Sequence, residues 1–159
     1  MPRERGQRRI AACWFCIPIG FFFLALAVPS FLFFRQHAGH SLGAAVALDF
    51  AARHRVERVV AIASFTTLRE EAARAVGREL ARLLRENYDN RENLSRIARH
   101  NPKARIGIFH GTADNDIPVE MGGELAREFP FVEFFAIDGA GHVSVLDAGH
   151  DKIIDWMNR

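Results

Sequence analysis

The stretch Gly39-His40-Ser41-Leu42-Gly43 is the most informative part of this sequence about its fold. A serine flanked in this way is typical of a sharp turn from a strand into a helix, because Gly39 and Gly43 leave out side chains where strand and helix crowd together. Residues 42–54, which follow, are rich in alanine and predict a helix packed against a sheet. We therefore expect a strand–turn–helix unit with Ser41 on the turn.

Two distant stretches supply the groups that a serine nucleophile needs: His-Gly-Thr-Ala-Asp at 110–114 and Gly-Ala-Gly-His at 139–142. A serine hydroxyl needs a base, imidazole titrates near neutrality, and a carboxylate behind the ring fixes its tautomer. The chain order Ser, Asp, His predicts Ser41 as nucleophile, Asp114 as the acid and His142 as the base. The amide of Leu42, which begins the predicted helix, is the predicted oxyanion donor.

The same side chains also have structural interpretations, which the sequence leaves open. Ser41 could cap the following helix, Asp114 could serve only a turn, and His142 could be an ordinary loop histidine.

Four further residues near these motifs need an interpretation. Asp116 and Asp138 are rival candidates for the acid. Asp116 stands two positions after Asp114, and Asp138 ends the predicted strand that precedes His142. His40 and His110 precede the candidate nucleophile and the glycine of the acid motif, and we interpret both as structural.

Taken together, the stretches GHSLGAAVAL, RVVAIASFTTL, HGTADNDIP and GAGH make residues 39–159 resemble the C-terminal half of an α/β-hydrolase-fold protein. The resemblance is to the broad group of esterases, lipases, acyl-thioesterases and proline-type aminopeptidases. It implies a serine hydrolase that cleaves carboxylic esters, thioesters or small amides of a small-molecule acyl substrate, without cofactor or metal. In that family the segment H-G-x-x-D-x-x-(V/I)-P carries the acid, here Asp114, and G-x-G-H carries the base, here His142.

Apolar runs and amphipathic segments alternate after the serine, which predicts a mostly parallel sheet with helices on both faces. The predicted strands are Val59–Ala63, Arg105–Phe109 and Val132–Ile137. A first predicted helix begins at a Thr67/Glu70 capping box and runs to about Glu86, and a second begins at an Asn90 cap. Two more predicted helices cover Val119–Phe129 and Leu146–Met157. The excursion from residue 65 to residue 104 is expected over the site, where Phe65 and the 69–86 helix either shape the acyl pocket or only pack.

The length of the chain predicts a partial fold. A complete domain of this kind has about eight strands and well over 200 residues, whereas this chain has 159 and its serine stands at position 41. We expect the N-terminal strands of the sheet to be missing, with the early loop that would supply a second oxyanion amide. An open edge would then be exposed, and an oligomer is one way to cover it.

Residues 1–38 do not resemble the family, and we separate them from 39–159 as a basic and hydrophobic segment. Four arginines and one glutamate lie in the first nine residues, and Ile10 to Phe34 then carries no charge. This run is long enough for a membrane anchor or signal, which would make the protein membrane-associated or exported. Alternatively, Phe31–Phe34 is the strand that enters the turn, or the segment is a mis-joined remnant on a cytoplasmic protein.

Charge and cysteines exclude other classes. The net charge is +2 with no basic cluster in the globular part, so no nucleic-acid partner is expected. Cys13 and Cys16 stand as C-x-x-C inside the apolar run, and we interpret them as small apolar residues and not as a redox or zinc site. The alternative function is a catalytically inactive remnant of a hydrolase, or a membrane-tethered interaction module.

Overall fold

The structure is a computed structural model, and it describes residues 36–159. The predictions made for residues 10–34, for Phe31–Phe34 and for the two cysteines fall outside this range. Between residues 36 and 159, no helix combines the length and the apolar character that a membrane crossing requires.

Strands and helices alternate from Gln36 to the last helix. Their bounds are β1 Gln36–His40, α1 Leu42–Arg53, β2 Arg58–Ile62, α2 Leu68–Val76, α3 Arg78–Ala81, α4 Asn90–His100, β3 Arg105–Gly111, α5 Val119–Glu128, β4 Val132–Ile137, α6 Val145–Ala148 and α7 His150–Asn158.

The four strands form one parallel sheet in the order β1-β2-β3-β4. In register, Gly39 lies beside Ala61, and Ile62 lies beside Phe109. The carboxyl ends of parallel strands share one edge of a sheet, which is where sites form in such folds. The prediction of a parallel sheet is confirmed.

Helices cover both faces of this sheet. Val59 and Ala61 of β2 belong to one buried core, which contains apolar residues of α1, α4 and α5. The alternate residues Val60 and Ile62 belong to a second core with Val145 and other buried residues of α6 and α7. Successive side chains of a strand point to opposite faces, so burial of every residue from 59 to 62 requires cover on both sides.

The strand that enters Ser41 is β1, whose residues Gln36 and His37 are polar. Among residues 36–159, β1 pairs only with β2, and an edge position tolerates such residues. Residues 36–38, which the sequence analysis places in the segment 1–38, therefore belong to the sheet. Beside β1, the side chains of Val46 and Phe50 on α1 are 47% and 41% exposed. That an oligomer covers this edge stays a prediction.

The first helix of the excursion between β2 and β3 is shorter than predicted. Thr67 caps it as expected, because its hydroxyl accepts the N–H of Glu70 at 3.0 Å. Instead of continuing to about Glu86, however, α2 ends at Gly77, whose φ of 89° is a conformation that only glycine adopts without strain. Leu80 and Leu83 lie beyond this end and are not buried, with exposed fractions of 58% and 75%.

The cap of α4 is Asp89 and not Asn90. The carboxylate of Asp89 accepts the N–H of Glu92 at 3.0 Å. Asn90 is fully buried instead, and its side-chain amide donates to the carbonyl oxygen of Phe65 at 2.8 Å. Asn90 thus ties the start of α4 to the loop that leaves β2.

Candidate active site

Ser41 lies on the turn between β1 and α1 with φ 56° and ψ −121°. A non-glycine residue held at such a positive φ costs of the order of 1–3 kcal/mol, which surrounding contacts must offset. Its N–H donates to the carbonyl of Ile62 at 2.8 Å, and its carbonyl accepts the N–H of Ala44 at 3.0 Å. The Ser41 side chain makes no capping hydrogen bond to α1. The structure therefore does not support the interpretation of Ser41 as a helix cap.

The two glycines beside Ser41 have different roles. A Cβ atom on Gly39 would lie 2.0 Å from the carbonyl oxygen of Gly43, so strand and helix meet too closely there for any side chain. A Cβ atom on Gly43 would meet no described atom within 4 Å outside its chain neighbours and the adjoining backbone of its own helix. The expectation that both glycines relieve crowding is correct for Gly39 and wrong for Gly43, because the crowding atoms belong to the backbone of Gly43 itself.

Leu42 is the first residue of α1. An amide in the first turn of a helix has no acceptor within the helix, so it is free to bind an anion at this end. The assignment of this amide as oxyanion donor stays a prediction.

Asp114 and His142 form the best-defined contact of the site. Nδ1 of His142 lies 2.8 Å from Oδ2 of Asp114, whose side chain is fully buried, while the imidazole is 16% exposed. The ionised carboxylate can only accept, so Nδ1 carries the hydrogen and Nε2 is left with its lone pair. This is the tautomer that a general base requires.

The other carboxylate oxygen of Asp114 is fixed by its own loop. Oδ1 accepts the backbone N–H groups of Asp116 at 2.9 Å and Ile117 at 2.8 Å. Burial by itself raises the pKa of Asp114, but the hydrogen bonds from His142 and from these two amides outweigh it and hold the pKa below its ordinary value of 3.8. Asp114 is therefore ionised at neutral pH.

His40 joins the loop of His142 to the turn of Ser41. Its Nε2 donates to the carbonyl oxygen of His142 at 2.8 Å, and the centroids of the two rings are 4.6 Å apart. Since His40 directly precedes Ser41, this contact links the loop of His142 to the turn of Ser41. No hydrogen bond joins Ser41 to His142 in the described part of the chain, and such bonds often shorten only when substrate binds. The structural role predicted for His40 thus has a definite partner.

The rival acids do not contact His142 in this way. Asp138 accepts the hydroxyl hydrogen of Thr112 at 3.2 Å, which joins the ends of β3 and β4. Asp116 is exposed, and it is its backbone N–H that bonds Asp114. Of the three carboxylates considered from the sequence, Asp114 alone is hydrogen-bonded to the imidazole.

Sequence reasoning missed Glu71, in the first turn of α2. Its side chain is 19% exposed, and Oε2 is buried without a hydrogen bond from any residue of 36–159, 3.6 Å from Nε of Arg74. Burial raises the pKa of Glu71, Arg74 opposes this, and the negative charges of Asp114 and Asp116 add to the rise. Glu71 therefore lies within the electrostatic influence of Asp114, and nothing in the local sequence distinguishes it from a solvated helix residue.

One set of residues could be considered for a metal ion. Asp114, Asp116 and His142 each offer a ligand atom within 4.8 Å of the others. Both oxygens of Asp114 already accept hydrogen bonds, and Nδ1 of His142 carries one of the hydrogens. The arrangement fits a hydrogen-bonded acid–base pair better than a cation site.

No family model and no curated protein matches the chain. Solved structures do. The esterase domain of a Rhodothermus marinus protein has 20% identity and a TM-score of 0.56, over 77% of this chain and 58% of that one. The enol-lactonase of Burkholderia xenovorans has 18% identity and a TM-score of 0.60, over 87% and 71%. An α/β hydrolase from a lagoon-sediment metagenome has 20% identity and a TM-score of 0.53, over 88% and 69%.

At these identities the likeness shows the fold. The described residues form part of an α/β-hydrolase fold, with an all-parallel sheet and helices on both faces. The chain spans 58% of the length of the esterase domain. Both the fold class and its partial character, predicted from residues 39–159, are therefore confirmed.

Proposed function

We propose that this protein is a serine hydrolase that cleaves carboxylic esters, thioesters or small amides of a small-molecule acyl substrate. One observation carries the proposal: the 2.8 Å hydrogen bond from His142 to the buried carboxylate of Asp114, in a loop that His40 holds against the strained turn of Ser41. The esterases and the lactonase among the structural neighbours support the same class of reaction.

In the proposed reaction, Oγ of Ser41 attacks the acyl carbonyl carbon while Nε2 of His142 takes the hydroxyl proton. The carbonyl oxygen becomes an oxyanion, which the amide of Leu42 stabilises by donating a hydrogen bond. The ionised Asp114 stabilises the imidazolium, which then returns the proton to the leaving group. Water, deprotonated by the same imidazole, hydrolyses the acyl-enzyme and restores Ser41. No step needs a cofactor or a metal ion.

Labelling with a fluorophosphonate tests the nucleophile directly. We expect wild type to take the label and to hydrolyse p-nitrophenyl acetate, and Ser41→Ala to lose both. Asp114→Asn keeps the shape of the acid but should lower kcat by about 10⁴-fold, because the wrong imidazole tautomer is then stabilised. Ser95→Ala is the matched control, because Ser95 lies on α4 and contacts Arg99.

Two results would contradict the proposal. If the folded wild-type chain takes no label, the protein is the alternative predicted from the sequence, a catalytically inactive remnant of a hydrolase. Labelling that persists in Ser41→Ala would show that the nucleophile is a different residue.

A further inference from the structure

His110 is a fully buried histidine at the end of β3 that the proposed reaction does not use. Its Nε2 lies 2.9 Å from the carbonyl oxygen of Ile117. A carbonyl can only accept, so Nε2 carries the hydrogen and Nδ1 has the lone pair when the ring is neutral. Nδ1 is buried and has no hydrogen-bond partner in the described chain.

The environment keeps this ring neutral and in place. Burial lowers the pKa of His110, although its hydrogen bond to Ile117 and the charge of Asp114 act in the opposite direction. Behind Nδ1 stands Gly122 of α5, where an added Cβ atom would lie only 2.7 Å from that nitrogen. The ring is therefore a neutral donor with a single N–H, and α5 leaves it no room to turn away.

That N–H faces the acid of the site as well as Ile117. Nε2 of His110 lies 3.5 Å from Oδ2 of Asp114, the same oxygen that is bonded to His142. Ile117 is held at both ends, since its N–H donates to Oδ1 of Asp114 and its carbonyl accepts from His110. The contacts close a ring through Asp114, Ile117 and His110.

We propose that His110 is a positioning residue for Asp114: its Nε2–H fixes the Ile117 carbonyl and, with it, the plane in which the Asp114 carboxylate faces His142. The inference rests on the proposed function only in treating the Asp114–His142 pair as catalytic. The positioning itself is a property of the folded chain, whether or not Ser41 reacts.

Two amide substitutions separate the position of the donor from the presence of a donor. In His110→Gln the side-chain amide nitrogen can reach the place of Nε2, whereas in His110→Asn it reaches only the place of Nδ1. Both variants are made in the full chain, in wild type and with Ser41→Ala. Circular dichroism establishes the thermal midpoint of each, so that all are compared while folded.

The first readout is the low-field proton NMR signal of the Nδ1–H of His142, which reports its hydrogen bond to a carboxylate. We expect His110→Gln to keep this signal and His110→Asn to lose or shift it, in both backgrounds. The second readout is kinetic: His110→Asn should lower kcat for p-nitrophenyl acetate by about 10–100-fold with KM changed little, the usual effect of losing an orienting partner. His110→Gln should recover most of that loss.

Gly122→Ala supplies an independent variant, because it displaces the ring of His110 without removing any hydrogen-bonding group. It should weaken the low-field signal, and it decides the matter if His110→Asn does not fold. The proposal is overturned if the signal is unchanged in the Asn and Ala variants, or if Gln and Asn behave alike. Failure of the proposed function looks different: wild type would take no label, while the NMR comparison in the Ser41→Ala background would still separate Gln from Asn.

Discussion

The two glycines that flank Ser41 should respond in opposite directions to the same substitution. In Gly39→Ala the new methyl group would lie 2.0 Å from the carbonyl oxygen, 2.3 Å from the carbonyl carbon of Gly43 and 2.7 Å from the amide nitrogen of Ala44. All three are backbone atoms, and no flexible side chain can yield. In Gly43→Ala, by contrast, the methyl group meets no described atom within 4 Å outside its chain neighbours and the adjoining backbone of α1.

The geometry sets the size of the difference. Non-bonded atoms are most favourably about 3.5 Å apart, so strand β1 and helix α1 would have to separate by roughly 1.5 Å to admit a methyl group at residue 39. Overpacking of this kind costs typically 1–3 kcal/mol, and a clash with backbone belongs at the upper end, about 3 kcal/mol. Gly43 lies in the first turn of α1, where alanine should stabilise the helix by about 0.5 kcal/mol.

Urea denaturation followed by circular dichroism measures both effects. The expected order of unfolding free energy is Gly43→Ala, then wild type, then Gly39→Ala, with about 3 kcal/mol between the last two. Fluorophosphonate labelling of the folded proteins adds a functional readout, since opening the turn should move Ser41 and slow the reaction in Gly39→Ala alone. The prediction is contradicted if Gly39→Ala is as stable as wild type, or if Gly43→Ala is destabilised as much as Gly39→Ala.

Two further predictions concern Asn90 and Asp114. Asn90→Ala removes the donor to the buried carbonyl of Phe65 and should cost about 2 kcal/mol in urea unfolding, whereas Asp89→Ala removes an exposed cap and should cost about 1 kcal/mol; the reverse order would show that the buried bond of Asn90 contributes less than the cap. Because the pKa of Asp114 is lower in the folded chain, its stabilising contribution is complete above the ordinary value of 3.8 and is lost as pH falls through the folded value. The difference in unfolding free energy between wild type and Asp114→Asn should thus shrink from pH 6 to pH 3, and a constant difference would show that the ionised carboxylate contributes nothing.

Most of the sheet could be predicted from the sequence because buried parallel strands carry a local signal. Val132–Ile137 was predicted with the bounds of β4, and the strands near Val59 and Arg105 differ from β2 and β3 by only one or two residues. Between amphipathic helices, a run of apolar, mostly β-branched residues is typical of a buried strand. Strand β1 lacks that signal, and it pairs only with β2 among residues 36–159, where a strand paired on one side need not be apolar on both faces.

The excursion between β2 and β3 shows where helical periodicity misleads. Ala72, Val76, Leu80 and Leu83 recur at helical spacing, but one residue, Gly77, takes a positive φ and divides the segment into α2 and α3. A glycine inside a periodic pattern costs only about 1 kcal/mol when helical, so the sequence does not reveal whether it continues or ends the helix. Whether the helix continues or ends at Gly77 depends on tertiary contacts of the segment, among them the hydrogen bond from the N–H of Leu68 to the carbonyl of Tyr88.

The candidate site divides in the same way between local and tertiary information. The motifs and their chain order singled out Ser41, Asp114 and His142, because GHSLG, HGTAD and GAGH are local patterns of the sequence. The roles of His40 and His110 could not be read locally, since the partner of His40 is the backbone of His142, 102 positions away. The role of a buried histidine can be assigned only once its neighbours in the fold are known.

The three predicted residues are supported by two different parts of the fold. Asp114 and His142 belong to loops after β3 and β4, where the carboxylate is fully buried and each of its oxygens has a hydrogen-bond donor. Ser41 instead follows β1, which pairs on one side only within residues 36–159, and its strained φ depends on the bond to Ile62 and on the absence of a side chain at Gly39. The bond from His40 to the carbonyl of His142 links the two parts. Loosening β1 should therefore displace Ser41 while the bond between Asp114 and His142 survives, because the hydrogen bonds of that pair come from the loops after β3 and β4. Within residues 36–159, β1 reaches the pair through the contacts of His40 with His142.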